Sequence, residues 1–248
     1  MKVTFKIWRQ ENTEAVGALK TYEIDGLSKD MSFLEALDYL NETLVLKNEK
    51  VIAFEHDCRE GICGQCGVFI NGRAHGPHDN TTTCQLHMRS FKNNDTIVVE
   101  PWRANAFPII KDLVVDRSSF DRIIEQGGFI TAKTGTAPEA NAIPISKEIS
   151  DSAMDAAACI GCGACVATCK NASAALFTSA KINHLNRLPQ GRQEAHRRLL
   201  DMTAQMELEN FGNCSFTGAC EIECPAEISI SNIVEMNSRF IKAKLFDK

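Results

Sequence analysis

Eleven cysteines, gathered into three groups with none left over, constrain this 248-residue chain more than any other feature. They are Cys58, Cys63, Cys66 and Cys84; then Cys159, Cys162, Cys165 and Cys169; then Cys214, Cys220 and Cys224. At about 4% of the chain they fall under the roughly 8–10% that marks a small disulfide scaffold, and they are odd in number. Clustered thiols of this kind hold metal or do redox chemistry, because a cytosolic chain has little use for disulfides. The cytosolic reading rests on the rest of the sequence. No window approaches the 18 uninterrupted apolar residues that span a bilayer, and Lys2, Lys6 and Arg9 break up the N-terminus too evenly for a signal-peptide core. A formal charge of −5 argues against a general nucleic-acid binder. With 44% hydrophobic and 24% charged residues, the chain is long enough to fold as one large domain or two small ones.

The first hundred residues read mainly as strands. Val3, Phe5 and Ile7 alternate with polar neighbours, and Thr96-Ile97-Val98-Val99 is a second β-rich run. One helix interrupts them: Ser32 and Glu35 form a capping box, with Phe33, Leu37 and Leu40 along one face. After Pro101 and Pro108 the pattern turns helical, through Ile109, Ile110, Leu113, Val114, Phe120, Ile123 and Ile124, which places a domain boundary near residue 105. Gly127 to Pro144, with Gly135 and Pro138 inside, is too punctuated for a helix and reads as a surface loop. Helices are expected from about Ala174 to Leu188, ending at Pro189-Gln190-Gly191, from about Gln193 to Glu209, and from about Ser229 to Lys244. Neither a GxGxxG turn opening a helix nor a GxxxxGK[ST] loop occurs, so a dinucleotide fold or a P-loop is not expected.

The first cysteine group is C-x4-C-x2-C-x17-C, the plant-type ferredoxin spacing for a 2Fe-2S cluster. Gly61, Gly64 and Gly67 suit a loop that needs positive φ and closely approaching backbone N–H groups. A four-cysteine zinc site is the competing reading, although zinc hooks prefer two paired C-x2-4-C motifs. The second group is C-x2-C-x2-C-x3-C, the bacterial ferredoxin run, in which the fourth cysteine serves the other cluster. On that reading Cys169 starts a helix and points away. The third group repeats the run with Thr217 in place of the middle cysteine and Pro225 after the last. Exchanging the fourth ligands assigns Cys159, Cys162, Cys165 and Cys224 to a 4Fe-4S cluster and leaves Cys169, Cys214 and Cys220. Three ligands suit a 3Fe-4S cluster; a 4Fe-4S cluster with threonine or water on its fourth iron is the alternative.

With these motifs the chain resembles, over essentially its whole length, the iron-sulfur subunit of succinate dehydrogenase and fumarate reductase, the respiratory complex II family. The resemblance is carried by the loop from Cys58 through Arg59, Glu60, Gly61, Ile62 and Cys63 to Gly64, by Val99-Glu100-Pro101, by Asp112-Leu113-Val114-Val115-Asp116, and by the two runs ending in Cys224-Pro225. It implies an α+β chain: a β-grasp 2Fe-2S domain over residues 1–105, then an all-helical ferredoxin domain over 106–248 holding the 4Fe-4S and 3Fe-4S clusters. It also implies partners. Electrons would pass between FAD in a flavoprotein subunit and quinone at a hydrophobic membrane anchor, with or without haem, the chain lying peripherally on the cytoplasmic face of the cell membrane. Two departures stand out. Gly76-Pro77-His78-Asp79-Asn80-Thr81 lengthens the segment between Cys66 and Cys84, and Lys170-Asn171-Ala172-Ser173-Ala174 replaces the Pro-Ser and tryptophan that line the quinone pocket of familiar members. Ser215 likewise stands for their histidine, so Lys170, Asn171, Ser173 and Ser215 are the available quinone contacts.

Other conspicuous residues have plainer readings. The six histidines read as surface groups or neighbours of the ligands, Met202 and Met206 as core, and Arg187, Arg192, Arg197 and Arg198 as a solvated helix face. Two rival functions remain. One is a fumarate reductase coupled to thiols instead of quinone, which would be expected to carry further cysteine-rich repeats beyond a point such as Lys248. The other is a structural zinc-binding interaction module.

Overall fold

The computed structural model describes residues 1–131, 136, 138–189 and 191–246. Gly135 and Gln190, both named in the loop and helix-end readings above, lie outside the described residues.

The N-terminal half is a mixed five-stranded sheet with a helix against it. Strands β1 (Val3–Arg9) and β2 (Ala18–Ile24) form a hairpin, helix α1 (Phe33–Leu46) follows, and β3 (Phe69–Ile70), β4 (Arg73–Ala74) and β5 (Thr96–Glu100) complete the order β2-β1-β5-β3-β4. Only β1 and β5 run parallel. The alternation in β1 places Val3, Phe5 and Ile7 on the buried face, where Phe5 meets Phe33 of α1 edge-on at 5.8 Å. The capping box forms: Ser32 Oγ accepts from Glu35 N at 3.2 Å, and Glu35 Oε2 accepts from Ser32 N at 2.6 Å. This is the β-grasp arrangement.

The segment read as helical after Pro108 is instead a β-hairpin, β6 (Ile109–Lys111) and β7 (Val114–Val115), turning at Asp112 with φ +48°. Tertiary hydrogen bonds override the local pattern there. Buried Asp112 accepts from Arg9 Nε at 3.0 Å, Gln10 N at 3.0 Å and Ala53 N at 2.9 Å, which ties the hairpin to the N-terminal sheet. The two cores interleave as a result. Trp102 and Phe107 join the C-terminal core while Leu113 joins the N-terminal one. A division near residue 105 therefore falls inside a stretch that crosses between cores, not at a linker.

The C-terminal half is helical: α2 (Ser118–Glu125), α3 (Lys147–Ala157), α4 (Ala164–Thr168), α5 (Ala175–Asn186), α6 (Arg192–Leu208), α7 (Ala219–Ile222) and α8 (Ser231–Phe246). Helix α5 is central, packed against α3, α6 and α8. Phe177 of α5 stacks on Phe120 of α2 at 3.7 Å. Helix α3 escaped the sequence reading because its buried face is made of Ala153 and Ala156, too small to produce a hydrophobic stripe, although Ser146 caps it by accepting from Ile149 N. Among the described residues, no helix is long and apolar enough to cross a membrane.

Two of the arginines read as a solvated face are not. Arg198 is 2% exposed, donating to Gly127 O and Phe129 O at 2.7 Å, to Asn186 Oδ1 at 2.8 Å and to Glu194 at 2.5 Å. Arg187 is similarly enclosed, donating to Ser152 O and pairing with Glu235 of α8. Both charges serve as internal ties between helices and the adjoining loop, while Arg192 and Arg197 are exposed.

Candidate metal centres

Backbone geometry shapes the first cysteine loop. Arg59, Gly61 and Gly64 take φ of +55°, +81° and +74°, which curls residues 58–66 so that N–H groups turn toward the sulfurs. Glu60 N lies 3.3 Å from Cys58 Sγ and Gln65 N 3.5 Å from Cys63 Sγ. The amides of Glu60 and Ile62 bring the Cys58 thiol down to about 7. Gly67 serves packing instead, since the Trp102 ring occupies the space a Cβ would take. Cys84 arrives from the short turn Thr83–Gln85, with Thr82 Oγ1 3.2 Å from its sulfur. Burial, reinforced by neighbouring Cys84, pushes Cys66 up to about 12.

In the helical half, Cys159, Cys162 and Cys165 line one small cavity together with Leu176, Phe177 and, from far along the chain, Cys224. Gly161 and Gly163 turn the loop at φ +65° and +86°. Ile228 N sits 3.4 Å from Cys224 Sγ. Burial pushes Cys162 up to about 12 and Cys165 well above the ordinary thiol range. Thiols so costly to ionise in an apolar enclosure suit a cationic core that repays the charge.

Cys169 does not start a helix. It ends α4 in an extended conformation, and the next helix begins only at Ala175. Cys220, in the first turn of α7, is pushed up to about 11 by burial and then by the nearby Cys214 and Cys169. Phe216, at φ +53°, directs its N–H to Cys214 Sγ at 3.4 Å. The structure thus gathers the eleven thiols into three neighbourhoods. All three offer sulfur donors with backbone N–H groups close by, the donor chemistry of iron-sulfur clusters.

The four residues considered for quinone are mostly committed elsewhere. Asn171 Nδ2 donates to Asn213 O at 2.8 Å and Ser215 Oγ at 3.2 Å, and buried Ser173 accepts from Ala175 N at 3.3 Å. Lys170 is exposed.

Several residues of the site carried no sequence signal. Trp102 Nε1 donates to Cys162 O at 2.9 Å, with its ring edge-on to Phe69 and His75. His75 is the one buried histidine among the described residues, 3.1 Å from Thr83 Oγ1. Arg117 spans the first two loops. The 76–81 segment reaches across to the Cys224 turn: Arg73 holds Asp79 and Glu223, and Asn80 Nδ2 donates to Glu227 at 2.6 Å.

A β-grasp domain docked on a helical pair of ferredoxin-like loops defines an iron-sulfur electron-transfer protein. Residues 4–122 match the family model for a 2Fe-2S iron-sulfur cluster binding domain, and residues 158–228 the model for a 4Fe-4S dicluster domain. The chain is 27% identical to the fumarate reductase iron-sulfur subunit of Haemophilus influenzae, covering 87% of this chain and 83% of that one. It is 28% identical to an uncharacterized iron-sulfur protein of Methanocaldococcus jannaschii over 93% of its own length, but spans only 41% of that protein. In fold it is similar to a chain of the Mycobacterium smegmatis Sdh1 complex, with a TM-score of 0.71 at 22% identity, covering 98% of this chain and 97% of that one. The chain thus carries a 2Fe-2S domain followed by a 4Fe-4S dicluster domain and is similar, over most of its length, to iron-sulfur subunits of fumarate reductase and succinate dehydrogenase.

Proposed function

We propose that this chain is the electron-transfer subunit of a succinate:quinone oxidoreductase or quinol:fumarate reductase. It takes electrons from, or returns them to, FAD in a flavoprotein subunit and exchanges them with quinone at a hydrophobic membrane anchor, lying peripherally on the cytoplasmic side. Cys58, Cys63, Cys66 and Cys84 hold a 2Fe-2S cluster, Cys159, Cys162, Cys165 and Cys224 a 4Fe-4S cluster, and Cys169, Cys214 and Cys220 a 3Fe-4S cluster. The observation that carries this reading is Cys224 closing the cavity of Cys159, Cys162 and Cys165, which leaves three thiols for the last site.

Such clusters supply one-electron carriers. The chain does the rest. Its thiolates would hold the clusters, and the N–H groups of Glu60, Gln65, Phe216 and Ile228 would offset charge on sulfur. Leu176, Phe177 and Ile228 wall the middle site against water. Arg73 and Asn80 hold the turn that presents Cys224, through Glu223 and Glu227.

The test is metal analysis and turnover of the assembled complex. The expected result is about nine irons and comparable sulfide per copy of this chain. Succinate-dependent quinone reduction should require all partners and be absent from the chain alone. Zinc in place of iron, or succinate-dependent dye reduction by the isolated chain, would overturn the proposal.

A further inference from the structure

Arg117 lies 53 residues from Gly64 and 45 from Cys162, yet its guanidinium joins them. Nη1 donates to Gly64 O at 2.6 Å and Cys162 O at 3.2 Å, with Gly161 O at 3.5 Å. Nη2 donates to the Gln65 side chain and pairs with Glu55 at 3.2 Å. The side chain is only 12% exposed. Its direction is set locally: Asp116 Oδ1 accepts from Ser118 N at 2.8 Å to start α2, and Arg117 occupies the N-cap at φ −111°. Gly64 follows one thiol of the first loop, and Cys162 is itself a thiol of the second. Between them the backbones touch, with Cys162 N and Cα within 3.2 Å of where a Gly64 Cβ would stand.

We propose that Arg117 is a positioning residue for electron exchange between the first two cysteine sites, clamping their loops together and holding a permanent positive charge between them. This rests on the ligand sets proposed above. In the step it serves, a single electron passes from the 2Fe-2S site to the 4Fe-4S site or back. The donor site is oxidised and the acceptor site reduced by that one electron, with no bond made or broken and no proton moved. Negative charge therefore grows on whichever site is reduced, and a guanidinium screened from water stabilises both reduced forms. Tunnelling weakens steeply with distance, so the carbonyl clamp also keeps the exchange fast. Arginine suits the double task because its planar fork reaches several acceptors at once and never loses its proton. Glu55, on the far side of the fork, partly offsets the charge.

The experiment is a redox titration of the cluster-loaded full chain, followed by electron paramagnetic resonance, for wild type, Arg117→Gln, Arg117→Lys and Glu55→Gln. Arg117→Gln should lower the reduction equilibrium of the 2Fe-2S and 4Fe-4S sites by about tenfold each, about 59 mV for one electron, and leave the 3Fe-4S site in place. Arg117→Lys should keep most of the potential but slow electron exchange between the two sites in the assembled complex. Glu55→Gln should move both potentials the opposite way to Arg117→Gln. Unchanged potentials in a fully loaded Arg117→Gln, or equal shifts at all three sites, would overturn the inference while the cluster assignment stands. If Arg117→Gln does not load, an absent upward shift in Glu55→Gln overturns it. A wild type without these signals overturns the cluster reading and the inference with it.

Discussion

Gly64 and Ile160 meet backbone to backbone: a methyl group on the Gly64 α carbon would overlap the Ile160 carbonyl oxygen. No side chain can enter that contact without parting the first two cysteine loops. Gly64→Ala also places alanine at φ +74°, a conformation costing about 1–2 kcal/mol for a non-glycine residue. The expected outcome is lower thermal stability together with slowed electron exchange between the first two sites. The checks are calorimetry and freeze-quench kinetics; an unaffected exchange rate would mean that the contact is not the route.

Cys224→Ser should remove the 4Fe-4S cluster and leave the 2Fe-2S cluster intact, because Cys224 lines the cavity of Cys159, Cys162 and Cys165 while the first loop is built separately. Cys169→Ser should instead remove the 3Fe-4S signal. Iron analysis and electron paramagnetic resonance distinguish the two. Loss of the same signal from both variants would contradict the exchanged ligand sets.

Thr217 sits exposed just before Gly218, at φ +79°, where α7 begins, and stands where the bacterial ferredoxin run has its middle cysteine. Thr217→Cys is expected to admit a fourth iron and convert 3Fe-4S to 4Fe-4S, a change the loop should tolerate because the side chains are similar in size. The oxidised variant should lose the 3Fe signal and gain iron. Retention of the full signal at unchanged iron content refutes it.

Burial, with Arg117 nearby, lowers the His75 pKa to about 4, and Nε2 has no hydrogen-bond partner among the described residues. An unfolded histidine titrates near 6.5, so between those values the unfolded chain binds the extra proton and stability falls as the pH falls. Above about pH 6.5 the ring is neutral in both states and adds no pH dependence. Toward pH 4 this group alone removes about 3 kcal/mol. Urea midpoints at pH 7.5 and 5.5 should therefore differ more for wild type than for His75→Phe. An equal drop in both would remove His75 as the cause.

Local chemistry made much of this protein legible. Ligand loops are short, and a cluster demands thiols at fixed spacing with glycine turns, so residues 58–66 and 159–169 announce their chemistry without a fold. The capping box at Ser32 and Glu35 and the alternation Val3, Phe5, Ile7 are equally local, and both appear in the structure. Helix α3 was not legible, because an alanine face buries without leaving a hydrophobic stripe.

What only the tertiary structure decided are the relations between distant segments. Ile109 to Val115 has helical spacing, yet becomes a hairpin because Asp112 is held by Arg9, Gln10 and Ala53. Arg187 and Arg198 look like surface charge until carbonyls and carboxylates from other segments surround them. Arg117 is one charge among many until the fold places the Gly64 and Cys162 carbonyls within its reach. The reason is common to all three. Whether a charge is solvated or buried depends on partners 35 to 103 residues away, as with the 53 residues between Arg117 and Gly64, and a sequence pattern records only what its near neighbours require.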